Sequence, residues 1–203
     1  MPFKKLHSDI KEKLESLEIS TPTPFQKASI PVIKSGANIY CTAPKDSGKS
    51  TTIILTTLQK LKCEEVGSAP RALVLVENRD NALALYDAFI KYTRHTSLRV
   101  YACDDKLHIE MLTSEIFEGV DILIATPKTV CKLLLSEGLN ITQLKIFNID
   151  DADFLVSKSA YTDLMAITQS VYKCQYVVYS EKTNPMLKRL ETNFMQYSKT
   201  VAI

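Results

Sequence analysis

The sequence predicts an α/β domain with a mostly parallel central sheet and helices on both faces. Short apolar runs recur at 39–43, 72–76, 98–102, 121–125, 144–149 and 176–180. Helical patterns lie between them, at 50–62, 81–94, 106–117, 128–135, 160–171 and 185–194. Parallel strands covered on both faces read as continuous apolar runs, and this alternation is the signature of βαβ units. A third observation is the turn Cys41-Thr42-Ala43-Pro44-Lys45-Asp46-Ser47-Gly48-Lys49-Ser50, which joins the first strand to the helix that follows.

Ahead of the first strand, 8–17 has the pattern of a short amphipathic helix. Thr23-Pro24 reads as an N-cap with proline at the first helical position, opening a helix to about Val32. The turn after the first strand has the makings of a phosphate loop. In such loops successive backbone N–H groups and a helix N-terminus converge on phosphates, a lysine adds a point charge and a hydroxyl reaches Mg²⁺. Lys49 and Ser50 fit the last two roles, with Ala43, Pro44, Lys45, Asp46, Ser47, Gly48 and Thr51 completing the nucleotide-binding segment. The pattern G-x-x-x-x-G-K-[ST] is met only at Gly48-Lys49-Ser50, since Ala43 holds the first glycine position. A solvated turn entering an ordinary helix is the competing reading of that triplet.

The 203 residues are 45% hydrophobic and 24% charged, which fits a single domain over 1–203 and excludes a disordered chain. A formal charge of +2 is too mild to indicate nucleic-acid binding by itself. Five cysteines without C-x-x-C or Cys/His spacing argue against a zinc site and a disulfide framework, and favour buried thiols in a reducing compartment. No segment approaches the ~20 apolar residues of a membrane span. The N-terminus has no signal-like apolar core, so a soluble cytoplasmic protein is expected.

The order of these pieces resembles the N-terminal RecA-like ATP-binding domain of a DEAD-box RNA helicase, a P-loop NTPase fold, over essentially the whole chain. Thr23-Pro24-Phe25-Gln26 looks like the family's Q motif, which implies adenine selection by the Gln26 amide, with Phe3 as the upstream aromatic. An amide carries both donor and acceptor, matching the adenine edge. Asn148-Ile149-Asp150-Asp151-Ala152-Asp153 stands where the family has Asp-Glu-Ala-Asp. The resemblance implies Mg²⁺ held by Ser50 and Asp150, and water activation by Asp151, one methylene shorter than the family's glutamate. Lys49, Asp150 and Asp151 are thus the expected catalytic set, with ATP and Mg²⁺ as cofactors.

Several motifs depart from the family pattern. Asp46 takes the place of a nest glycine. A carboxylate ~5 Å from a phosphate costs about 3 kcal/mol at an effective dielectric near 20, unless it faces solvent or Lys45 offsets it. Glu77-Asn78-Arg79-Asp80 stands for Pro-Thr-Arg-Glu, and acids near Cys103-Asp104-Asp105 replace a glycine pair. Arg79, Thr126 and Pro127 are the RNA-contact candidates, although Thr126-Pro127 equally suits an N-cap and first-turn proline. Ser180-Glu181-Lys182 replaces Ser-Ala-Thr, leaving Ser180 for interdomain coupling through a hydrogen bond to the acidic motif.

By the resemblance, the chain stops where a second RecA-like domain would follow. The expectation is a domain that contributes half of an RNA cleft, hydrolyses ATP very weakly and cannot unwind RNA alone, since an arginine supplied in trans contributes about 10³–10⁵ in rate. RNA, a second RecA-like domain in cis or trans and a protein are the implied partners, with no membrane. Two alternatives remain open: a degenerate RecA-like module that docks to a protein or ribonucleoprotein without ATP turnover, and a small-molecule kinase.

Overall fold

The computed structural model describes residues 3–203. Among these, seven strands form one sheet: β1 (Ile39–Thr42), β2 (Ala72–Leu75), β3 (Val100–Ala102), β4 (Ile122–Ala125), β5 (Ile146–Ile149), β6 (Gln175–Ser180) and β7 (Lys199–Ala202). Their order is β3-β4-β2-β5-β6-β1-β7, and every pairing is parallel.

Eight α-helices among the described residues cover the sheet: α1 (Ser8–Ser16), α2 (Pro24–Lys34), α3 (Lys49–Leu61), α4 (Arg79–Thr93), α5 (Ile109–Phe117), α6 (Pro127–Leu135), α7 (Lys158–Gln169) and α8 (Pro185–Leu190). The period of two along the strands sorts them into layers. Ala72 and Val74 of β2 join Phe25, Ile53 and Phe89 under α1–α4. Leu73 and Leu75 face the other way, with Leu112, Val130 and Leu164 under α5–α8. Both strand faces are apolar because both are covered. Among the described residues no helix is long and apolar enough to cross a membrane.

The sequence reading is corrected in four places. Lys199–Ala202 forms an edge strand beside β1 that its sequence does not announce, because its exposed side chains give it no apolar pattern. The helix expected over 106–117 begins only at Ile109, because Asp104 folds the preceding residues into a turn by accepting from Lys106 N–H at 3.0 Å. The helix expected over 185–194 ends at Leu190. All five cysteines are free, but Cys131 and Cys174 are only half-buried rather than buried.

The start of β4 is fixed by charge. Asp121 is fully buried and takes Arg71 Nη2 at 2.6 Å, Arg99 Nε at 2.9 Å and the main-chain N–H groups of Val66 and Arg99 at 3.2 and 3.1 Å. Burial acts to raise this carboxyl, but the hydrogen bonds from Arg99 and Arg71 outweigh it and hold it below the usual range. Replacing Asp121 by Ala strands the buried Arg71 guanidinium, so a loss of about 3–5 kcal/mol is expected. Urea unfolding measures it; a loss under about 1 kcal/mol overturns this account of the pair.

Candidate functional site

All seven strands point their C-terminal ends at one edge, so the loops after β1, β5 and β6 meet there. After β1 the chain turns through 43–48 into α3. Gly48, the N-cap of α3, has φ 94, and Asp46 has φ 59. Both lie in the left-handed region, where Gly is free and Asp is among the few tolerated residues. A Cβ at Gly48 would lie 2.7 Å from Gln26 Nε2, so only glycine lets the loop lie this close to α2.

The N-terminus of α2 is fastened to this loop. Thr23 and Gln26 form a capping box, with Gln26 N–H donating to Thr23 Oγ1 at 3.2 Å and Thr23 N–H donating to Gln26 Oε1 at 3.0 Å. Thr23 Oγ1 donates to the Ser47 carbonyl at 2.7 Å, and Gln26 Nε2 reaches the Gly48 carbonyl at 3.4 Å. Sequence reasoning assigned Gln26 to adenine alone. Here its buried amide is engaged at both ends, Oε1 closing the α2 cap and Nε2 bracing the loop, leaving by valence one lone pair and one N–H for a ligand.

Lys49 is 7% exposed. Its Nζ donates to the Ala43 and Pro44 carbonyls at 2.8 and 3.4 Å and lies 3.4 Å from Asp151 Oδ1. Asp151 takes φ 46, which turns its carboxylate toward Lys49; that oxygen is buried and makes no hydrogen bond. Asp150, at the end of β5, is pushed up to about 6, first by burial and then by Asp151, with Lys49 opposing. Lys45, Asp46, Gly48, Lys49, Ser50, Thr51, Asp150 and Asp151 line one cleft of about 440 Å³.

This cleft fits a Mg-nucleotide in its donor set: an ammonium, a hydroxyl at a helix N-terminus and two carboxylates. Asp46 is exposed and lines the same cleft. Lys45, beside it in the chain, lies 3.7 Å from Glu181 Oε1 through a largely exposed side chain, a weak surface ion pair.

Other expected site residues are placed differently. Phe3 is buried in the core and lines a separate cleft of about 130 Å³ with Leu14 and Ile19, because its ring packs with the apolar face of α1. Ser180 Oγ lies 3.2 Å from Thr42 Oγ1. The link to the acidic motif is instead made by the Glu181 main-chain N–H, which donates to Asp153 Oδ2 at 3.0 Å. A backbone donor does this whatever side chain stands at 181, which is why residue type gave no signal.

Further along the edge, the ends of β2, β3 and β4 gather Arg79, Thr126 and Pro127. Arg79 Nε and Nη2 donate to the two oxygens of Asp104 at 2.5 and 2.7 Å. Thr126 is the N-cap of α6 with Pro127 at its first turn, and Thr126 Oγ1 and Thr129 Oγ1 lie 3.2 and 2.5 Å from Asp105. Sequence reasoning missed the roles of Asp104, Asp105, Thr129 and Asp153, since these pairings span long stretches of chain.

The DEAD/DEAH box helicase family model matches residues 23–183. The chain is 24% identical to the DEAD-box ATP-dependent RNA helicase CshA of Streptococcus pneumoniae, over 100% of this chain and 39% of that protein. It is 30% identical to the pre-mRNA-processing ATP-dependent RNA helicase PRP5 of Lodderomyces elongisporus, over 68% of this chain and 14% of that protein. The chain thus spans well under half the length of these relatives. Its fold matches a DEAD box protein from Methanococcus jannaschii with a TM-score of 0.88 at 18% identity, covering 98% of this chain and 54% of that one. The RNA helicase Prp28 from Chaetomium thermophilum, solved with ADP, matches with a TM-score of 0.87 at 20% identity, covering 98% and 49%.

The raised Asp150 carboxyl has a direct consequence for the metal-free protein. It binds a proton near pH 6 when folded and near 3.8 when unfolded. Its ionised form therefore lowers stability above about pH 6, and that penalty fades as pH falls toward 4. Asp150→Asn is expected to be more stable than the parent at pH 8, by about 3 kcal/mol, with the difference shrinking toward zero by about pH 4. Urea unfolding across that range tests this, and a difference that does not change with pH overturns it.

Proposed function

Because the chain belongs to the DEAD/DEAH box helicase family, we propose that it is the ATP-binding RecA-like domain of an ATP-dependent RNA helicase, contributing half of an RNA cleft and unable to unwind RNA alone. The observation that carries this reading is the convergence of Lys49, Ser50, Asp150 and Asp151 on one cleft at the C-terminal edge of the sheet.

In this reading the backbone N–H groups of the loop and Lys49 hold the β- and γ-phosphates, and Gln26 selects adenine with its remaining donor and acceptor. Ser50 and Asp150 would hold Mg²⁺, which when bound neutralises charge developing on the phosphoryl oxygens. Lys49 must exchange its two carbonyl partners and Asp151 for phosphate oxygens. That exchange frees Asp151 to orient water. Its short side chain keeps turnover slow, since misplacing a base by about 1 Å costs on the order of a hundredfold. Ser180 and the Glu181–Asp153 contact would carry the state of the cleft to a second RecA-like domain.

One observation favours a second reading, a protein- or ribonucleoprotein-docking module without ATP turnover. Asp46 puts a third carboxylate on the cleft beside Asp150 and Asp151, and the adjacent Lys45 lies near Glu181 as well.

Calorimetry with Mg·ATP and Mg·GTP separates the two. The expected outcome is adenine-preferring binding, abolished in Lys49→Ala and tightened about tenfold or more in Asp46→Gly, the gain that removing a like charge near phosphate gives. No binding by the folded protein, with none recovered in Asp46→Gly, selects the docking module. Gln26→Ala should weaken ATP more than GTP; equal losses would confine Gln26 to bracing the loop.

A further inference from the structure

The face built by the ends of β2, β3 and β4 has the parts of an anion site. A planar guanidinium stands at the start of α4, and a pair of hydroxyls stands at the N-terminus of α6. Guanidinium groups bind carboxylate and phosphate in the same two-pronged manner, and helix N-termini favour either anion. Both parts are already taken by carboxylates of the loop between β3 and α5. Asp104 meets Arg79 with both oxygens, and Asp105 sits against Thr126 and Thr129.

The geometry points to Asp104 and Asp105 as a built-in plug that occupies the two anion positions of this face, so that an RNA backbone is held there only when the loop between β3 and α5 gives way. This rests on the RNA-binding part of the proposed function.

Three further observations bear on it. The Asp104 loop is held in shape by its own contact to Lys106 N–H at 3.0 Å, so the carboxylate is presented to Arg79 rather than found there by chance rotation of a free side chain. The hydrogen bonds from Arg79 and then Lys106 depress the Asp104 carboxyl to about 2, which keeps it ionised throughout the neutral range. The adjoining cleft of about 240 Å³ is lined by the carboxylates of Glu77, Asp105 and Asp163 against the cations Arg79 and Lys128. With Arg79 already neutralised by Asp104, that cleft repels a phosphodiester chain. The plug makes the grip on RNA depend on the loop rather than on surface charge.

The test is fluorescence anisotropy with a 5′-labelled oligouridylate and this 203-residue chain, at low and moderate salt. The parent is compared with Asp104→Asn/Asp105→Asn, which keeps shape while removing the charge and one acceptor oxygen at each position, and with Asp104→Ala/Asp105→Ala. Thermal melting of each confirms folding. The expected result is affinity at least about tenfold tighter in both double variants, with the slope of log K against log salt steeper by about 0.7 for each additional phosphate neutralised. Adding Arg79→Ala to either double variant should remove most of the gain. A parent that binds RNA with affinity and slope unchanged in both double variants overturns the plug and leaves RNA binding standing. A gain that survives Arg79→Ala is general charge relief and also overturns it. Folded parent and variants that all fail to bind RNA sink the RNA-binding reading and the plug with it.

Discussion

Parallel pairing is the constraint from which the rest of this molecule follows. Strands that all run the same way need crossovers, the crossovers need helices, and the helices must cover both faces of the sheet. The same rule places every strand's C-terminal end on one edge, where helix N-termini and polar side chains converge. The order β3-β4-β2-β5-β6-β1-β7 then divides that edge in two. One half, after β1, β5 and β6, gathers Lys49, Asp150 and Asp151. The other, after β2, β3 and β4, gathers Arg79, Thr126 and the acids that face them.

The two halves hold their charges in the same way. Lys49 rests on two carbonyls and Asp151, and Arg79 rests on Asp104. In both, a cation suited to phosphate is held by an internal carboxylate, so an incoming anion competes with an existing partner rather than filling an open position. Such competition lowers affinity while keeping each cation oriented, since the loops are braced in the absence of ligand. Thr23 and Gln26 provide that bracing on the Lys49 side, and Asp121 with its two arginines fixes where β4 begins.

How much was legible follows from which interactions are local. The five inner strands were read because burial on both faces leaves an apolar run, β3 at one edge was read from its own short apolar segment, and the Thr23 and Thr126 caps were read because a cap and its proline are neighbours in sequence. β7 was invisible, since Lys199 and Thr200 are exposed on an edge strand whose partner lies across the chain. The ties of Lys49 to Asp151 and of Arg79 to Asp104 join residues that only the folded sheet brings together, and nothing in either segment announces its partner. The acids at 104 and 105 were noticed as missing glycines; that each carboxylate would have a specific cation or hydroxyl to hold required coordinates.

The placement of β7 has a practical side. Its last residues run beside the end of β1, and Ile203 N–H donates to the Thr42 carbonyl at 3.0 Å, one residue before the phosphate loop begins. Adjacent strands lie about 4.8 Å apart, so whatever is joined after Ile203 starts one strand spacing from the end of β1, on the same edge of the sheet as the cleft. A tethered fluorophore, peptide or second domain there would meet the cleft at an effective concentration in the millimolar range if its linker is short and flexible. The fold thus offers a ready attachment point at which even a weakly binding group becomes an intramolecular one.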